Sequence, residues 1–134
     1  MSSQINLRSI PAFKDISERS IKSIQDSAEY IKYNMGSPIL SGDTIPNSIL
    51  IILTGRARLI PSKSLTKNST LILNPDNFIG LQSLLCANAC EEIFASTDLL
   101  VMSISDKLIL DLYKEESSFK NWCDSNIKLS EIYN

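Results

Sequence analysis

Few side chains in this sequence could carry out chemistry, because the chain contains no histidine. Without histidine there is no Ser-His-Asp or Cys-His nucleophile and no histidine-based zinc site. Glu91 and Glu92 are adjacent carboxylates at the start of a predicted strand, so they point to opposite faces and do not converge as an acid and a base. The sequence therefore predicts no catalytic residue, no metal site, no cofactor and no enzymatic activity.

The cysteines are the remaining candidates for reactive groups. Cys86 and Cys90 lie four residues apart, and Cys123 is the third cysteine. A redox pair or a metal site would need lowered thiol pKa values or further ligands, and no cationic residue lies between the first two. Three cysteines cannot all pair within the chain, which indicates a reducing, cytoplasmic location. We expect ordinary small cysteines.

Composition narrows the class of protein. The chain has 134 residues, of which 43% are apolar and 21% charged, and its net charge is −2. These values are typical of one soluble domain with its own core. No apolar run approaches the ~20 residues of a membrane helix, and the N-terminus lacks the pattern of a secretory signal. We therefore expect no membrane insertion by this segment and no nucleic-acid partner.

The elements that would position a site follow from the apolar pattern. Residues 15–28 predict a helix, with Ser17 as its N-cap and with Ile16 and Ile21 as a hydrophobic staple. From residue 29 to 105, short β-prone runs alternate with turn residues, which is typical of a sandwich or barrel. The run Ser48–Thr54 is apolar on both faces, so it predicts a central strand.

The C-terminal part returns to a helical pattern. Asp106 is the predicted N-cap of one helix, and Ser117 or Ser118 of the next. In the last helix, Phe119 and Trp122 share a face with residues further along the chain. That face could be a packing surface, a lid over a pocket or a seam between two copies. We expect Trp122 to pack against the barrel. Ile127, Leu129 and Ile132 could instead form an interface with a second copy.

This order of elements resembles the cyclic-nucleotide-binding domain family. The matching stretches are Tyr33-Asn34-Met35-Gly36-Ser37-Pro38-Ile39-Leu40, Ser41-Gly42-Asp43, Ile51-Ile52-Leu53-Thr54-Gly55-Arg56-Ala57-Arg58-Leu59 and Asn74-Pro75-Asp76-Asn77-Phe78-Ile79-Gly80. The resemblance implies a mainly β fold with flanking helices, a β jelly roll (double-stranded β-helix) of the cyclic-nucleotide-binding-domain type. It implies one domain over residues 1–134, with a helical part at 5–28, the jelly roll at 29–105 and C-terminal helices at 106–134.

The resemblance also places a phosphate-binding cassette. In the family, amides at the start of a short helix face the cyclic phosphate, an arginine pairs with that phosphate, and a glutamate accepts from the ribose hydroxyl. The implied ligand-binding residues are Gly80, Leu81, Gln82, Ser83, Leu84, Ala89 and Cys90.

Both charged contacts of the cassette are replaced in this sequence. Leu81 stands where the family has the ribose glutamate, Ala89 where it has the phosphate arginine, and Cys90 replaces the small hydroxyl residue. Losing a buried arginine–phosphate pair typically costs ~2–5 kcal/mol, or ~30-fold or more in affinity. We therefore expect no useful binding of cyclic AMP or cyclic GMP.

A narrower resemblance concerns the stretches Gly80-Leu81-Gln82-Ser83-Leu84-Leu85 and Ala89-Cys90-Glu91-Glu92-Ile93-Phe94-Ala95-Ser96-Thr97-Asp98. They resemble the variant at the N-terminus of cyanobacterial toxin- or bacteriocin-secretion ABC exporters. This resemblance implies a regulatory domain on the cytoplasmic side of an inner-membrane transporter. The implied partner is the rest of the transporter chain or another protein.

Two other functions remain open at this point. The domain could sense a small molecule other than a cyclic nucleotide, in which case a polar-lined pocket should lie beside Gly80 and Ser83. It could also be the sensor half of a transcription regulator, since this fold often precedes a helix-turn-helix.

Overall fold

The computed structural model describes residues 6–41, 43–61, 71–87 and 91–126. Two short 3-10 helices, Leu7–Ser9 and Pro11–Phe13, come first. The described residues then form α1 Glu18–Ser27, α2 Leu81–Cys86, α3 Asp106–Glu115 and α4 Ser117–Asn126. The strands are β1 Glu29–Tyr33, β2 Pro38–Leu40, β3 Ser48–Thr54, β4 Ala57–Pro61, β5 Leu71–Leu73, β6 Phe78–Ile79, β7 Glu91–Ala95 and β8 Leu99–Ser105.

The strands form two four-stranded antiparallel sheets. One sheet has the order β1-β8-β3-β6, and the other has the order β2-β7-β4-β5. Strand β3 pairs with both β8 and β6, so the predicted central strand is confirmed. Two facing sheets flanked by helices are the mainly β jelly roll that the sequence predicts.

The core has two layers, which explains why β3 is apolar on both faces. Between the sheets lies the inter-sheet core of Leu40, Leu50, Ile52, Ala57, Leu59, Ile79, Ile93, Ala95, Leu99 and Val101. The helices cover the other face of the first sheet and form the helix-side core. Its members include Ile10, Phe13, Ile24, Ile49, Ile51, Leu81, Met102, Ile104, Ile109 and Phe119.

The start of α1 agrees with the sequence prediction. Ser17 has an extended backbone, and its Oγ accepts a hydrogen bond from the Ser20 amide at 3.2 Å. Ile16 and Ile21 are both buried, as a hydrophobic staple requires. None of the helices in the described ranges is long and apolar enough to cross a membrane.

The predicted caps of the last two helices are wrong. Ser105 caps α3, because its backbone is extended and its Oγ accepts from the Leu108 amide at 3.2 Å. Asp106 lies one residue later, inside the first turn, where a carboxylate is also favourable. Helix α4 already includes Ser117, and the carbonyl of Glu116 accepts from the Lys120 amide at 3.0 Å.

Candidate functional site

The predicted cassette begins at a strand too short to be recognised from the sequence. Strand β6 has two residues, and it pairs with β3 through Ile79 opposite Leu50. Gly80 follows with φ 91° and precedes the first residue of α2. A Cβ at Gly80 would lie 2.8 Å from Pro46 Cγ, so the turn needs glycine for both its dihedral angle and its space.

Leu81 stands at the position where the sequence resemblance implies a glutamate, and its side chain is 2% exposed. It is the first residue of α2 and belongs to the helix-side core. A buried aliphatic side chain offers nothing to a sugar hydroxyl. A carboxylate in the same place would lose its hydration without a cation partner, which is costly.

The rest of α2 is placed as follows. Gln82 is half-buried, and Ser83 is fully buried. Leu84 is half-buried and packs against the helix-side core. Ala89 and Cys90 lie outside the described residues. Of the five other predicted cassette residues, Leu81 and Gln82 line a pocket.

A pocket of about 250 Å³ adjoins this turn, and we name it the cassette pocket. It is lined by Leu59, Leu73, Asn77, Phe78, Leu81, Gln82, Trp122 and Asn126. Its polar side chains are three uncharged amides, and no charged residue is among these lining residues. Its volume lies just below the ~300–1,000 Å³ of typical ligand sites.

Asn77 and Asn126 were not predicted as site residues. Asn77 immediately precedes β6, and Asn126 is the last residue of α4. Asn126 lies four residues after Trp122, and its side-chain amide donates to the Trp122 carbonyl at 2.8 Å. Helical spacing from Trp122 was the signal available in the sequence.

Aromatic rings form one wall of the cassette pocket and join it to the helices. The centroids of Phe78 and Trp122 are 5.2 Å apart. Phe78 also lies 5.9 Å from Phe13 and 6.4 Å from Phe119. Trp122 is therefore a packing residue, as favoured, and it lines the pocket as well. The proposed interface residues beyond it, within 127–134, lie outside the described residues.

Reactive groups contribute little to the site. Cys123 lies on the buried face of α4, and burial followed by the charge of Asp124 raises the pKa of its thiol to about 12. Such a thiol is neither a nucleophile nor a metal ligand near neutral pH. In the part of the chain that the structure describes, no cluster of cysteine and acidic residues could hold a metal ion.

No protein-family model and no curated protein matches the sequence. Solved structures do match. A putative cyclic nucleotide-binding protein from Geobacter metallireducens is 19% identical, with a TM-score of 0.70 over 90% of this chain and 89% of that chain. The sensor domain of the transcriptional regulator DNR from Pseudomonas aeruginosa is 14% identical, with a TM-score of 0.72 over 93% and 84%.

The catabolite activator protein from Thermus thermophilus is also similar, at 18% identity and a TM-score of 0.67. The match covers 83% of this chain and 53% of that protein, so the chain spans about half its length. At these identities the likeness concerns the fold. The chain is a β jelly roll with flanking helices, of the cyclic-nucleotide-binding-domain type.

Proposed function

We propose that this chain is a non-catalytic regulatory or interaction domain that has kept the fold of a cyclic-nucleotide sensor but no longer binds a cyclic nucleotide. We further propose that it acts in cis, as the N-terminal domain of a toxin- or peptide-secretion ABC transporter. The similar structures from Thermus thermophilus and Pseudomonas aeruginosa are named as an activator protein and as a regulator's sensor domain. A regulatory role for the same fold is consistent with both names.

The single observation that carries the proposal is the burial of Leu81 in the helix-side core. A ligand with a ribose and a phosphate needs polar and cationic partners at the cassette. The position implied for the ribose contact points into apolar packing instead, and none of the described residues that line the cassette pocket is charged. A phosphate entering this pocket would lose hydration without a charge partner, which disfavours binding.

Regulation without a nucleotide requires a mechanical connection, and the aromatic wall supplies a candidate. Phe78 lies next to the cassette turn, and Trp122 lies on the last described helix. A partner that displaces α4 would therefore also displace β6, because the two elements are joined by this contact. We expect the C-terminal helices to move against the barrel when a partner is engaged.

A second candidate function is sensing of an uncharged small molecule in the cassette pocket. The amides of Asn77, Gln82 and Asn126 favour this reading. The Asn77 oxygen accepts from the Asn74 amide and the Asn126 nitrogen donates to the Trp122 carbonyl, so the Asn77 amino group and the Asn126 oxygen are the groups left for a ligand. The aromatic wall could stack on a flat ligand. A pocket of about 250 Å³ has room for at least one aromatic ring, since a cavity of ~150 Å³ holds benzene.

Trp122 provides the direct test, because it is the only tryptophan in the chain and it lines the pocket. We expect cyclic AMP and cyclic GMP at millimolar concentration to leave its fluorescence unchanged. A functional cyclic-nucleotide-binding domain measured in parallel provides the positive control. A saturable change would contradict the proposal.

The transporter context has a separate test, which is the reading frame downstream of Asn134. Membrane-spanning segments followed by an ATP-binding cassette are the expected finding. A basic helix-turn-helix would instead support the sensor half of a transcription regulator, and the proposed action in cis on a transporter would then be wrong.

A further inference from the structure

A second cavity, of about 450 Å³, opens at one end of the space between the two sheets. We name it the barrel-end pocket. Its walls come from the edge strands β1 and β2, from parts of β3 and β8, and from the loop that precedes β3. It shares no lining residue with the cassette pocket, so the two cavities are distinct.

The inner faces of neighbouring strands change from apolar to polar at this pocket. On β1 the half-buried Ile31 and the exposed Glu29 both line the pocket, and on β8 Val101 is followed on the same face by Ser103. Glu29 and Leu50 are both register partners of Ser103. A carboxylate and a hydroxyl therefore meet at the level where the apolar inter-sheet core ends.

Two polar side chains of the pocket, those of Ser103 and Glu29, are not used within the described part of the fold. Ser103 is 8% exposed, and its hydroxyl has no hydrogen-bond partner among the residues that the structure describes. Glu29 likewise forms no ion pair within the described ranges. Burial raises the pKa of Tyr33 on the same face, so this phenol stays neutral. Unpaired polar groups beside an apolar floor are features of ligand sites.

The charge in the pocket has one sign. Among its described lining residues Glu29 is the only one of the Asp, Glu, Lys and Arg types. Ile31, Ile39 and Leu50 supply an apolar floor. A carboxylate at the mouth and an apolar floor fit a ligand with a positive charge at one end and a hydrocarbon body.

The loop of this pocket also contacts both functional parts of the domain. Pro46 packs against the cassette turn so closely that a Cβ on Gly80 would lie 2.8 Å from its Cγ. The carbonyl of Asn47 accepts from the amide of Asp106, the first residue of α3, at 3.0 Å. Pro46 and Asn47 both line the pocket. A ligand in the pocket would therefore contact Pro46, which touches the cassette turn, and Asn47, which is bonded to the start of α3.

We propose that the barrel-end pocket binds a small organic cation, an amine carried on an apolar body. The ammonium pairs with Glu29 and donates to the Ser103 hydroxyl, and the hydrocarbon part lies on the isoleucine floor. This site does not rest on the proposed loss of nucleotide binding, because it uses different residues and a different ligand charge.

The experiment compares two probes of nearly equal shape by NMR titration of the domain: phenethylammonium and uncharged 2-phenylethanol. We expect saturable binding of the cation, about fivefold tighter than that of the alcohol. The largest shifts should fall on β1 and β8. Glu29→Gln should weaken binding of the cation about fivefold and leave binding of the alcohol unchanged.

Two controls complete the design. Glu115→Gln removes one carboxylate from an exposed position on α3 and should leave both affinities unchanged. Ser103→Val should weaken binding of the cation. Its melting temperature should equal or exceed that of the wild type, which would show that the variant is folded. Absence of saturable binding, equal affinities for both probes, an unchanged affinity in Glu29→Gln, or shifts centred on Gln82 and Asn126 would each overturn the proposal.

Discussion

Phe78 and Trp122 pack with their ring centroids 5.2 Å apart, although one residue lies on a strand of the barrel and the other on the last described helix. Phe119 lies 6.5 Å from Trp122, and Phe13 lies 5.9 Å from Phe119. The four rings join the N-terminal turns, the cassette strand and α4. This contact is the physical basis for expecting the cassette region and the C-terminal helices to respond together.

The first prediction tests this contact. Phe78→Leu should shift the emission of Trp122 to longer wavelength, because water gains access to the indole. It should also lower the free energy of unfolding by about 1–2 kcal/mol. Phe94→Leu is the control, since Phe94 is half-buried on β7 and lines a different pocket. Equal emission spectra for Phe78→Leu and the wild type would show that the ring contact does not shield Trp122.

The second prediction separates two roles of Gly80. Gly80→Ala combines a strained positive φ with a clash against Pro46, whereas Gly36→Ala, at φ 88°, meets no atom within 4 Å. Gly36→Ala should cost about 1–2 kcal/mol in unfolding free energy, and Gly80→Ala more. Urea denaturation followed by circular dichroism measures both. Equal decreases in unfolding free energy would mean that the loop containing Pro46 moves to make room for the added methyl group at residue 80.

The third prediction concerns Leu81. Leu81→Glu places a carboxylate in the helix-side core and should lower the unfolding free energy by about 3–5 kcal/mol, because none of the described residues of that core is a cation that could pair with it. The same change at the partly exposed Leu110 of α3 should cost about 0.5 kcal/mol or less. If Leu81→Glu were as stable as Leu110→Glu, residue 81 would have access to solvent and the buried position described here would be wrong.

The fourth prediction concerns acid sensitivity at the junction of α3 and α4. The carboxylate of Glu116 accepts from the hydroxyls of Ser20 and Ser17 and from the amide of Ser17. The hydrogen bond from Ser20, followed by those from Ser17, lowers the pKa of Glu116 below its ordinary value of 4.5. A lowered folded-state pKa stabilises the fold above the unfolded value, and this stabilisation is lost as pH falls through the folded value.

Glu116→Gln should therefore reduce the stability difference between neutral pH and the region below pH 4.5. Thermal unfolding at a series of pH values measures this slope. Glu115→Gln, one residue earlier and exposed, should keep the wild-type slope. Identical slopes for the two variants would show that the contact between α1 and Glu116 carries no proton linkage.

Local features of the fold were predictable from the sequence. The Ser17 cap depends on a hydroxyl three residues before the amide that it binds. Strand β3 is apolar on both faces, which indicates a central strand without any knowledge of its neighbours. The sequence places the cap of α3 one residue late, because Ser105 and Asp106 are both good capping residues. Only the backbone angles, which depend on how β8 ends, decide between them.

The candidate site was predictable only in part. Gly80 and Leu81 are contiguous, so a short motif could locate them. Strand β6 has two residues and exists because β3 pairs with it, and sequence periodicity cannot detect so short an element. Asn126 reaches the cassette pocket only through the packing of α4 against Phe78. The barrel-end pocket depends on the strand register that aligns Glu29 with Ser103.

The central claim is that the cassette does not accept a cyclic nucleotide, and isothermal titration calorimetry with cyclic AMP and cyclic GMP tests it most directly. We expect no saturable heat at nucleotide concentrations up to ~1 mM, which is ~1,000-fold above the Kd of a ligand that binds with micromolar affinity. A one-to-one binding isotherm for either nucleotide would contradict it.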